Sequence, residues 1–72
     1  MANYNILSET SAGNKKFLEV EFTSGETVVQ QHVELEPNEY LDVNDQEEMV
    51  ESNEKVALYL LKLAEEWEHN NL

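Results

Sequence analysis

Phe17-Leu18-Glu19-Val20-Glu21-Phe22-Thr23 is the stretch that decides the fold. Leu18, Val20 and Phe22 alternate with Glu19 and Glu21, a period of two that sends the apolar set to one face of a strand and the carboxylates to the other. Phe17 falls on the acidic side of that alternation. Ser24-Gly25 follows as a tight turn, since glycine accepts the positive φ that two-residue hairpin loops require. The chain then returns as a strand over about 27–35. A Ser24-Gly25 loop predicts Val20 opposite Val29, Glu21 opposite Val28 and Glu19 opposite Gln30. Val29, Val33 and Leu35 join the core face in that register.

Outward from this hairpin, residues 3–9 around Tyr4–Glu9 predict an earlier strand, with the second strand over about 16–23. Ser11-Ala12-Gly13-Asn14 supplies the turn chemistry between them. Glu36-Pro37-Asn38-Glu39 ends the third strand, because proline has no N–H for a ladder. Tyr40–Val43 can form a short fourth strand or an extended linker.

Asn44 reads as a helix N-cap, with Glu47 three residues on in the capping-box position. A helix is predicted over about 45–69. Met49, Val56, Leu60, Leu63 and Trp67 recur at helical spacing as one apolar stripe, which Leu61 and Ala64 widen. Ser52-Asn53 marks a candidate break, both residues favouring caps over helix interiors. A 25-residue helix would run about 37 Å against about 27 Å for an eight-residue strand, so one end should overhang the sheet. Leu58, Tyr59 and Leu61 would then leave apolar surface for a second chain. The expected fold is α+β: a small antiparallel β-meander of three strands, with a fourth allowed, packed against one long C-terminal helix in a single domain over 1–72.

That domain is small and unusually charged. Its 72 residues hold sixteen aspartates and glutamates against four lysines, for a net charge of −12. One-sign charge of this size weakens a fold by self-repulsion, attracts basic surfaces and repels nucleic acid and anionic membranes. High charge can leave a chain disordered, yet 40% apolar residues, two glycines and one proline favour folding. There is no cysteine, so neither a disulfide nor a thiolate zinc site is expected. Met1–Ile6 lacks the basic and apolar character of a signal peptide, and Val56–Leu61 is too short an apolar run to span a bilayer. The expected location is the cytoplasm.

Catalysis and cofactor binding find little footing. His32 and His69 lie on different elements, and Gly13 and Gly25 stand alone rather than in a phosphate-binding loop. Paired acids such as Glu65-Glu66 are too abundant for any one pair to point to acid–base chemistry. Asp42-Val43-Asn44-Asp45-Gln46 starts like a calcium loop, but Glu47 stands where the sharp-turn glycine belongs and Asn53 where the closing glutamate belongs. No enzyme, cofactor or metal is expected.

The charge itself is the functional lead. Glu19, Glu21 and Glu34 project from the sheet face opposite the helix, and carboxylates two apart on a strand stand about 7 Å from each other. Glu65, Glu66 and Glu68 crowd the helix C-terminus, where acidic charge opposes the macrodipole. Phe17 adds an aromatic beside acids, a pairing suited to arginine-rich surfaces. In size and charge alone the chain resembles the small acidic inhibitors that bacteriophages direct at host restriction, CRISPR or transcription machinery. No motif carries that resemblance, so no residue role is transferred. It implies a non-enzymatic protein-binding module acting as a nucleic-acid mimic. Its partner would be the basic, nucleic-acid-facing surface of another protein, without direct nucleic-acid or membrane contact. The alternative is an assembly subunit that homodimerises or docks through its apolar helix face, the acids serving solubility. The sequence leaves open whether sheet or helix makes the contact.

Overall fold

The computed structural model describes residues 1–72. It has the α+β architecture expected from the alternation in Phe17–Thr23. Strands β1 (Asn3–Ala12), β2 (Lys15–Ser24) and β3 (Thr27–Leu35) form an antiparallel meander with β2 in the centre. A single helical turn, α1 (Pro37–Tyr40), leads into a two-stranded hairpin of β4 (Leu41–Val43) and β5 (Met49–Glu51). The chain closes with one long helix, α2 (Asn53–Asn71).

Both meander turns are two-residue loops with glycine first. Gly13 and Gly25 have φ of +64° and +61°, the sign that the first position of a type II′ turn needs. The second loop is therefore Gly25-Glu26, closed by Ser24 opposite Thr27. This corrects the expected register: Val20 faces Gln31, Glu21 faces Gln30 and Glu19 faces His32. Each partner moves by two residues, which leaves every side chain on its expected face. β1 runs to Ala12, beyond the expected end at Glu9, because the loop needs only Gly13-Asn14. A bulge between Ile6 and Ser8 puts Leu7 out of register.

The helix begins later than its apolar pattern predicts. Asn44 is not a helix cap: its side chain accepts the backbone N–H groups of Gln46 and Glu48, both at 2.9 Å, and closes the β4–β5 loop. Glu47 sits in the left-handed region of that loop at φ +62°, so it completes no capping box. Ser52 is the N-cap, its hydroxyl accepting from the Lys55 N–H at 3.2 Å. The 19 residues of α2 span about 28 Å, less than a ten-residue strand, so helix length forces no overhang.

The core lies between α2 and one face of the meander. Leu18, Val20 and Leu35 meet Leu60 and Ala64 of the helix, all essentially inaccessible to solvent. Val56, Tyr59, Leu63 and Trp67 pack around them, Trp67 against Phe22 with ring centroids 6.0 Å apart. Met49, expected on this stripe, is exposed on β5. Only nine residues are buried, so truncating one of the larger, such as Leu60→Ala at about 2–5 kcal/mol, threatens the whole fold.

Lys16 fastens the hairpin to the meander. Its ammonium bonds Glu9 of β1 at 2.8 Å and Glu51 of β5, and lies 5.4 Å from the centre of the Tyr40 ring. Those two carboxylates raise its pKa, Glu51 foremost. Lys55 adds a second tie, donating to the Leu41 carbonyl at 2.8 Å.

Candidate functional site

β2 and β3 together build the open face of the sheet. Phe17, Glu19 and Glu21 stand opposite Glu34, His32 and Gln30, so the corrected register makes a direct Glu19–His32 pair. Nδ1 of His32 is 2.7 Å from the Glu19 carboxylate, and its ring stacks on Phe17 with centroids 6.0 Å apart. At the same end Lys15 binds Glu34 at 2.8 Å and Glu36 at 3.2 Å, and these hydrogen bonds raise its pKa, Glu34 contributing most. Glu21 alone of the three expected acidic sheet contacts has no side-chain partner.

The helix acids Glu65, Glu66 and Glu68 belong to α2, and only Glu66 shares a groove with residues of that face. Glu68 accepts the Ser24 hydroxyl and sits 3.4 Å from the Met1 ammonium. The Ser24 hydrogen bond is the largest influence and lowers the Glu68 pKa; burial opposes it, and the Met1 ammonium adds smaller lowering contributions. Glu65 borders a shallow depression with Met1, Ala2, Asn3 and Leu61. Glu66 is exposed on the opposite flank of the helix. Phe17, Glu19, Glu21 and Glu34 thus form one group, while Glu65, Glu66 and Glu68 are dispersed around the end of α2.

Sequence reasoning missed a groove between β3 and α2. It encloses about 410 Å³, with Phe22, Tyr59, Leu63 and Trp67 as its apolar and aromatic wall and Glu34 and Glu66 at its border. The spacing of Tyr59, Leu63, Glu66 and Asn70 along one helix flank was a legible signal. Their meeting with β3 depended on how the helix docks. The Glu39 carboxylate beside the Tyr59 hydroxyl raises its pKa, with smaller contributions from burial and from the charge on Glu66.

Elsewhere the surface charge is little compensated. Lys15 and Lys16 are engaged by carboxylates and Lys55 by a carbonyl, which leaves Lys62 as the one lysine without an internal partner. The β4–β5 hairpin and the start of α2 carry Asp42, Asp45, Glu47, Glu48 and Glu54, none of them in an ion pair. These acids do not converge, and no group of three or more histidine or acidic side chains is placed to hold a metal ion. No helix is long and apolar enough to cross a membrane.

No protein-family model, curated protein or solved structure shows significant similarity to the chain. The arrangement itself must therefore carry the functional reading. It offers an acidic, polar sheet face and, along the β3 edge of that sheet, an aromatic groove bordered by Glu34 and Glu66.

Proposed function

We propose that this protein is a non-enzymatic acidic module that occupies a basic, nucleic-acid-facing surface of a partner protein. The observation that carries this reading is linear charge density. The molecule measures 43 × 23 × 17 Å, and its radius of gyration of 13.4 Å exceeds the roughly 11 Å usual for a domain of this length. A net charge of −12 along 43 Å is one charge per about 3.6 Å, close to the roughly 3.4 Å spacing along a single nucleic-acid strand. Lys15 and Lys16 each bind two carboxylates, which leaves Lys55 and Lys62 as the lysines not paired with an acid in that field. Occupation would block the partner by steric exclusion and by electrostatic competition, the action of an inhibitor.

The test is affinity capture from a lysate of the source or its host, with stepwise salt elution, followed by competition with the purified partner. A nucleic-acid-binding protein that elutes at moderate salt, and whose labelled oligonucleotide is displaced by this protein, supports the proposal. Recovery of the bait alone, or of a complex that resists salt, removes it.

A second reading rests on Leu58 and Leu61, which are 63% and 37% exposed on α2. They supply an apolar strip through which an assembly subunit could dimerise or dock. That contact should persist or strengthen as salt rises, whereas electrostatic mimicry should weaken steeply.

A further inference from the structure

We propose that the outer edge of β3, with the groove beside it, receives an extended arginine- or lysine-bearing segment of a partner protein as a fourth strand of the meander. This rests on the reading that the partner is basic, and it adds where that partner binds and in what conformation.

The two edges of the meander differ. β1, itself an edge strand, carries a bulge at Leu7 in its pairing with β2, and bulged edge strands are a common device against strand addition. β3 pairs with β2 without a register shift from Thr27 to Leu35. Its sequence, Thr-Val-Val-Gln-Gln-His-Val-Glu-Leu, contains neither lysine nor proline. Its outer N–H and C=O groups therefore form a regular, open template about 30 Å long.

The groove supplies the side-chain recognition. Four consecutive residues, Gln31, His32, Val33 and Glu34, line it. Consecutive strand residues point to opposite faces, so the groove follows the edge rather than covering one face. A strand added there would send alternate side chains toward Tyr59, Trp67 and Glu66. An aromatic surface beside a carboxylate suits a guanidinium or ammonium group, through cation–π attraction and ion pairing. No lysine lines the groove. Strand addition divides the work in this way, main-chain bonds giving affinity and alternate pockets giving specificity.

Charge also selects between occupants. A second copy would present the same sequence, with Glu34 and no lysine or arginine, and would bring another −12 against these acids. A cationic strand meets complementary charge along the same path.

The experiment uses the intact protein and a capped nine-residue peptide of alternating arginine and valine at low salt. Its control is the same peptide methylated at the backbone nitrogens of its five central residues, which keeps charge and side chains but removes ladder donors. The expected result is perturbed amide resonances along 27–35, altered Trp67 fluorescence, and at least tenfold weaker binding of the control. Glu66→Lys, an exposed change, should weaken the parent peptide about tenfold. Equal binding of both peptides would overturn strand addition. Perturbations centred on Glu19 and Glu21 would overturn the location while leaving the basic-partner reading intact. A free protein that dimerises through β3 would assign the edge to a second copy. Failure of the peptide to bind would remove this inference; only failure of the capture and competition as well would remove the broader one.

Discussion

The Tyr40 hydroxyl donates to the Asn14 backbone carbonyl at 2.6 Å, joining α1 to the β1–β2 turn across 26 positions of sequence. The ring beneath that bond is buried and borders the Lys16 ammonium. Tyr40→Phe keeps the ring and removes one hydrogen bond, at an expected cost of about 1 kcal/mol. Tyr40→Ala also opens a cavity and should cost about 3–5 kcal/mol, as other buried aromatics do. Urea titration of the two variants separates bond from ring. Equal losses would mean that the hydroxyl, not the packing, holds α1 in place.

Lys16 links three elements, so its loss should appear first where the link is weakest. Lys16→Met retains the aliphatic stem but leaves Glu9 and Glu51 without their cation, with an expected loss on the order of 1–2 kcal/mol. Hydrogen exchange at Met49–Glu51 should accelerate more than exchange at Leu18–Phe22. The raised pKa gives this link a pH signature. The stabilisation is fully present below the unfolded lysine pKa of about 10.4 and is lost as pH climbs through the higher folded value. Uniform acceleration across both segments would show that the hairpin and meander open together.

Glu47 holds a left-handed backbone conformation at φ +62°, where an L side chain crowds the following carbonyl. Glu47→Gly should stabilise the protein by about 1 kcal/mol, relief of strain exceeding the added entropy of the unfolded chain. Thermal melting measures it, with an upward shift of about 4–8 °C expected for a domain of this size. A lower melting temperature would mean that the side chain supports the loop.

The depressed Glu68 pKa predicts how one contact responds to acid. Its stabilisation is present above the unfolded carboxylate pKa of about 4.3 and disappears as pH falls through the lower folded value. Glu68→Gln should therefore be less stable than the parent at pH 7, and the difference should close in acid once the folded carboxylate is protonated as well. Denaturation at a series of pH values checks the sign. A gap that persists into strong acid would assign the effect to side-chain packing instead of charge.

The open-face acids were legible because a strand has a fixed period. Glu19, Glu21 and Phe17 had to share a face once Leu18, Val20 and Phe22 shared the other. The Glu19–His32 pair was not legible from apolar patterning, since registers differing by two residues bury the same face. The distinguishing sign was local: a II′ turn needs glycine first, which favours Gly25-Glu26 over Ser24-Gly25. The later helix start has a similar origin. Asn44 and Ser52 both have capping chemistry, and only the pairing of Leu41–Val43 with Met49–Glu51 placed Asn44 in a loop.

By itself, the sequence determined the meander, its inward and outward faces, the apolar stripe of α2 and the net charge. These follow from side-chain periodicity and composition, which act along the chain. Tertiary structure decided where α2 lies across the sheet, which lysines neutralise which acids, and that Tyr59, Glu66 and Trp67 meet the edge of β3. Those relationships join residues far apart in sequence, and the packing of one shared core fixes them.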